Sequence, residues 1–227
     1  MHCRRTEAQS LPEGIPMPEV TVEEVRRFTR GVPGFEEEGP VPIFRGLNST
    51  HLTKIAQITR RRPFAPDKDV FQEGNDGDET FLLLSGTVRV TKALPHWKEN
   101  RAALGEVEII QIPAEWNPSF GELALFNSQA SRTARLSGVE AGELGVISSR
   151  DFLSLVEDDH DIGYYVLKNV LAKQMNTIRV GNENVLNLAN MAGWAVDTDM
   201  SDTRALEDSM EGGDAYIREF MKELATA

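Results

Sequence analysis

A single cysteine, Cys3, is all that the 227-residue chain contains, and it stands in a polar N-terminal stretch. That excludes a disulfide framework, a paired-cysteine zinc knuckle and a cysteine-ligated iron–sulfur cluster, and it suits a reducing cytoplasm. Long apolar runs are missing as well. No stretch approaches the roughly 20 residues of a spanning helix, and the basic residues near the N-terminus have no apolar segment behind them, so a soluble protein with no membrane partner is expected. Basic charge is in deficit, with 24 Lys and Arg against 36 Asp and Glu and a net charge of −12. Such a balance opposes close approach to a polyanion, which makes DNA a poor partner. Histidine is scarce: His2, His51, His96 and His160 fall without HxH or HxxxH spacing and read as surface residues. With no metal set and no nucleophile beside a base, the chain reads as a protein that is not an enzyme, with no catalytic residues, metal ligands or cofactor.

What is present divides the chain into four parts. Residues 1–40 form an arm rich in Pro, Gly and Glu, with one short helix where Thr21 and Glu24 have capping-box spacing ahead of Val25 and Phe28. Residues 41–160 open with a helix capped at Asn48 or Ser49, with Leu52, Ile55, Ala56 and Ile58 on one face. Short β-like runs separated by turn residues follow from Pro63 to Ile147, as in an all-β roll. The polar stretch from Thr91 to Gly105 exceeds what a tight hairpin needs and reads as a surface excursion. After a cap at Ser148 or Ser149 helical spacing returns, and residues 161–189 form a long helix. Residues 190–227 are an acidic tail, with nine carboxylates against three basic groups. It ends in a short amphipathic helix in which Tyr216, Phe220 and Leu224 share a face. The fold class is α+β: an antiparallel, jelly-roll-like β-roll flanked by N- and C-terminal helices.

The run from Phe120 to Ala134, "FGELALFNSQASRTA", concentrates the chemistry. Gly121 permits close backbone approach, and the following "ELAL" makes one helical turn whose free N–H groups suit an anion. Arg132 reaches the same anion with charge-assisted hydrogen bonds. Glu122 supplies an acceptor for hydroxyl groups, which a phosphate lacks and a ribose has. Anion site, hydroxyl acceptor and apolar wall together describe a nucleotide.

This run resembles the phosphate-binding cassette of the cyclic-nucleotide-binding family of catabolite activators, kinase regulatory subunits and gated channels. The upstream "FQEGNDGDETFLLLSGTVRV" resembles the family's other signature, an EGxxG turn before a strand and a second glycine turn after it. The resemblance covers about residues 42–189. It implies a β-roll that binds cyclic AMP or cyclic GMP. Glu122 is then on the ribose 2′-hydroxyl. The backbone amides of Leu123 and Ala124 and the Arg132 guanidinium take the cyclic phosphate, and the Thr133 hydroxyl is on phosphate or base. Val90 and Ile110 line the base. One departure stands before the cassette, where "PAEWNPSF" replaces the family's short glycine turn.

The resulting expectation is a cytoplasmic sensor in which ligand docking repositions the long helix. Two alternatives stand beside it: a catabolite-activator-type transcription regulator, which the acidic tail opposes, and an interaction scaffold whose pocket is unused. Within the long helix, Tyr164, Leu167, Leu171, Gln174, Ile178, Gly181, Val185 and Leu188 fall on one heptad seam, which predicts a homodimer. Tyr165, Val166 and Val170 lie on faces that pack on the roll.

Overall fold

The computed structural model describes residues 18–33, 41–93, 105–126 and 130–197. Most of the N-terminal arm and of the surface excursion, and the amphipathic segment near Phe220, lie outside them.

Local capping chemistry places the helices where the side chains can satisfy free backbone N–H groups. Helix α1 (Val22–Arg26) begins at a reciprocal capping box between Thr21 and Glu24 and runs into a 3₁₀ turn, Arg27–Thr29. Helix α2 (Ser49–Ile58) is capped by the Asn48 side chain, which accepts the His51 N–H at 2.9 Å. Helix α3 (Ser149–Asp158) is capped by Ser148, and a single break at Asp159 separates it from α4 (His160–Asp197).

Between α2 and α3 runs a β-roll. The strands are β1 (Arg60–Phe64), β2 (Asp69–Phe71), β3 (Asp76–Gly77), β4 (Glu79–Ala93), β5 (Glu106–Pro113), β6 (Ser119–Phe120), β7 (Ala130–Ser131) and β8 (Arg135–Ser148). All pair antiparallel in a six-stranded sheet ordered β1-β8-β4-β5, with β2 added to β8 and β6 to β4, while β3 and β7 form a separate ribbon. The long partners β4 and β8 slip register three times between Leu83 and Val88, where Gly86 takes a left-handed φ of +83°. Such irregularities curl a sheet into a roll.

Two apolar clusters result. One fills the roll with Phe81, Leu83, Val88, Leu136, Leu144 and Val146. The other lies between the sheet and the helices, joining Phe28, Phe44, Leu52, Ile55, Ile147 and Phe152 to Ile162, Val166 and Val170 of α4. Helix α4 is also tied by Asn169, whose buried amide donates to the carbonyls of Ile43 and Arg45 at 3.0 and 2.9 Å.

Helix α4 continues eight residues beyond the end expected at Ala189, to Asp197. The stretch from Asn190 to Asp197 holds no proline and a single glycine, Gly193, so nothing in it breaks a helix already propagating.

Candidate ligand-binding site

The two glycine-rich runs that the sequence keeps about 50 residues apart meet at Arg132. In the first, Gly74 has φ +82° and donates its N–H to the Arg132 carbonyl at 2.8 Å, and the Arg132 N–H donates to the Asn75 carbonyl at 2.8 Å. Arg132 follows β7 in a turn rather than opening the next strand. Its guanidinium lies against Gly77 and Gly121, where a Cβ at either position would collide with it. Phe71 and Phe81 cover another side, their ring centroids 4.7 and 5.4 Å from Cζ. One bond fixes its direction, from Nη2 to the Glu79 carbonyl at 2.7 Å.

This guanidinium is buried, at 8% exposure, and burial pushes its pKa down, against the pull of Glu79, Asp78 and Glu122. Among the described residues no carboxylate lies within 4.0 Å of it. The Glu79 carboxylate is held by Arg62 instead, at 2.6 and 2.8 Å. Arginine stays charged inside a protein, so a cation is held here ready for an anion.

Beside it opens a cavity of about 540 Å³, in the range of small-molecule sites, lined by the roll on one side and α4 on the other. Of the residues expected at a ligand, Gly121, Glu122, Leu123, Ala124, Arg132, Thr133 and Val90 line it. Gly121 takes φ +73° and starts a 3₁₀ turn, Glu122–Leu125. The Ala124 N–H donates to the Gly121 carbonyl at 3.0 Å. That corrects the expectation that this amide points freely at an anion: the tight i to i+3 turn consumes it.

Ile110 is also corrected. It shares the cluster inside the roll with Ile112 and Ile109, and of the three only Ile109 and Ile112 line the cavity. The ladder pairs Val90 with Ile110 and Thr91 with Glu108, leaving Ile109 as an extra residue. A bulge of this kind re-aims a side chain.

The departure before the cassette folds as a 3₁₀ turn, Ala114–Trp116, followed by Asn117 at φ +51°. Asparagine tolerates this left-handed position better than most residues. Arg27 clamps the turn, donating to the Asn117 side chain at 3.1 Å and to the carbonyls of Leu84 and Ala114 at 2.9 and 2.8 Å.

Four further cations line the cavity: Arg30, which is exposed, and three with carboxylate partners, Lys92 on Glu73, Arg135 on Asp69 and Glu106, and Lys173 on Glu122. Sequence reading missed Lys173. Its signal is spacing, since Val166, Lys173 and Val180 recur every seven residues on the face of α4 where both valines are buried. A lysine between two buried valines asks for a partner.

His51 is not a plain surface residue either. It is half-buried, and one of its ring nitrogens lies within 4.8 Å of carboxylate oxygens of Asp159 and Asp161. The Lys54 ammonium already sits 2.6 Å from Asp159.

Residues 61–159 match the family described as cyclic nucleotide-binding domain. The chain is 28% identical over 116 residues to the cyclic AMP receptor protein of Thermus thermophilus, covering 51% of this chain and 49% of that one. It is 28% identical over 149 residues to a CRP-like cAMP-activated global transcriptional regulator of Mycobacterium tuberculosis, covering 64% and 59%. It is 30% identical over 119 residues to cGMP-dependent protein kinase, isozyme 1, of Drosophila melanogaster, covering 52% and 14%. The chain thus spans about half to three fifths of the two bacterial relatives and a small part of the kinase. Among solved structures, a cyclic nucleotide-binding domain from Methylobacillus flagellatus superposes with TM-score 0.56 at 19% identity, over 73% of this chain and 83% of that one. The catabolite activator protein of Thermus thermophilus gives 0.54 at 24%, over 66% and 63%. These two likenesses establish the fold.

Proposed function

Residues 61–159 belong to the cyclic nucleotide-binding domain family, and from that premise we propose that the chain is a non-enzymatic sensor of cyclic AMP or cyclic GMP whose output is the position of α4. One observation carries the reading. Arg132 is buried beside a cavity with no carboxylate partner among the described residues, whereas Lys92, Arg135 and Lys173 at the same cavity each have one and Arg30 there is exposed to solvent. An unpaired buried charge is unfavourable, and a cyclic phosphate seated against it restores the balance. Glu122 then meets the ribose 2′-hydroxyl, the Leu123 amide and Thr133 assist the phosphate, and Val90 with Ile109 and Ile112 walls the base. Gln174 and Thr177 of α4 line the same cavity, so a ligand that fills it favours one position of the helix over others. Calorimetric titration with cyclic AMP, cyclic GMP and a linear monophosphate tests this. Micromolar or tighter binding of a cyclic form is expected, and failure of both cyclic forms to bind rejects it.

The active form in this reading is a homodimer. Tyr164, Leu167, Leu171, Ile178 and Val185 of the heptad seam are exposed on α4, while Val166 and Val170 are buried in the cluster between the sheet and the helices. A second copy of the same seam, laid alongside, covers both. Light scattering at tens of micromolar should give twice the chain mass; a monomeric mass rejects the dimer.

A further inference from the structure

Resting on that reading, we propose that Lys173 is a positioning residue that makes recognition of the ribose 2′-hydroxyl conditional on α4 lying against the roll. The Glu122 carboxylate is buried, at 6% exposure. Its Oε1 accepts two short hydrogen bonds, from Ser119 Oγ at 2.6 Å and from Lys173 Nζ at 2.6 Å. The same ammonium donates to the Ser119 carbonyl at 3.3 Å. Lys173 therefore grips both ends of the short stretch Ser119–Glu122, on which the candidate hydroxyl acceptor is mounted.

The consequence follows from where each group is anchored. Ser119 and Glu122 belong to the roll, and Lys173 belongs to α4. A carboxylate recognises a hydroxyl well only when its rotation is fixed and its charge is balanced without being covered. Two bonds on one oxygen do this for Glu122, and one of them exists only while α4 is docked. Withdrawing α4 leaves a buried carboxylate held by a lone serine hydroxyl. A ligand whose hydroxyl engages Glu122 thus binds the docked state more tightly, and by reciprocity it holds α4 down. Arg132 has no such dependence, being fixed by Glu79, Phe71 and Phe81, all in the roll. Phosphate recognition is a property of the roll alone, and hydroxyl recognition is a property of roll and helix together.

The test compares cyclic AMP and cyclic GMP with their 2′-deoxy forms by calorimetry on the full chain, in the wild type, Lys173→Met and Lys173→Arg. The wild type should prefer the ribo form by about 10-fold or more, in line with the worth of one hydrogen bond to a charged group. Lys173→Met should lose most of that preference while its affinity for the deoxy form changes little, and Lys173→Arg should restore it. Hydrogen exchange over Ile162–Val180 should slow more with the ribo than with the deoxy ligand in the wild type and the arginine variant, and to the same extent with both ligands in the methionine variant. Lys173→Gln, with a neutral donor, carries the same comparison should the methionine variant not fold. A full ribo preference in either uncharged variant overturns the inference while leaving the sensor reading intact. A wild type that binds no cyclic nucleotide overturns both.

Discussion

Arg132 and Glu122 line the same cavity and are buried to nearly the same degree, yet their charges are met differently. Glu122 receives an ammonium from α4, 51 residues downstream. Arg132 receives a carbonyl and two aromatic faces, and no carboxylate among the described residues. Under the proposed function the contrast matches what each would meet. A group that meets a neutral hydroxyl needs its charge balanced internally, because the ligand brings none, whereas a group that meets an anion can be left unbalanced, because the ligand completes it.

Removing each charge in turn sharpens that comparison. Arg132→Leu should weaken cyclic-nucleotide binding by about 2–5 kcal/mol, the cost of deleting one partner of a buried charged contact. It should leave the fold intact by circular dichroism, because the lost bond to the Glu79 carbonyl is offset by removing an unpaired buried cation. Retained affinity in this variant sinks the assignment of the anion site. Gly121→Ala disturbs both sides at once. Its backbone is left-handed, at a cost of about 1–2 kcal/mol for a residue with a Cβ, and that Cβ runs into Nη1 of Arg132. A lower melting temperature together with weaker binding is expected, and loss of neither breaks the packing argument. Glu122→Gln is milder, since a neutral amide still offers an acceptor. Calorimetry should find about 1 kcal/mol less affinity, well short of the arginine variant; equal losses would mean that the two groups do not divide the ligand as described.

The smallest effect concerns the junction from which α4 departs. The hydrogen bond from Lys54 holds the Asp159 carboxyl below its ordinary 3.8. A carboxyl whose folded pKa is depressed contributes stability above the unfolded value, and that contribution fades as pH falls toward the folded one. Denaturant titrations between about pH 5 and pH 2 should therefore show a steeper loss of stability in the wild type than in Lys54→Met. Parallel slopes would remove this ion pair from the account.

Much of this architecture was legible along the chain because it depends on near neighbours. The caps at Thr21, Asn48 and Ser148 are local chemistry, as are the turn residues between strands, and the cassette run names Gly121, Glu122 and Arg132 together. What escaped depends on partners distant in sequence. The resemblance puts Ile110 at the base, whereas Ile109 and Ile112 line the cavity; Ile109 is the extra residue of a bulge in the pairing with β4, and a bulge is a property of two strands. The Ala124 amide is consumed because the turn closes as 3₁₀, a choice set by how the cassette packs against β4 and α3. Lys173 became meaningful only when α4 brought it to Glu122, although its place between Val166 and Val180 was a visible anomaly.

Helix α4 also has length to spare. From Lys173 to Asp197 it runs 24 residues, about 36 Å at 1.5 Å per residue. A tilt of roughly ten degrees about Lys173, which at that point would shift side chains by less than an atom's width, moves the far end by about 6 Å. In the proposed sensor the long helix is in that sense a pointer: an event the size of one hydrogen bond at the cavity would be read out, magnified, at its far end.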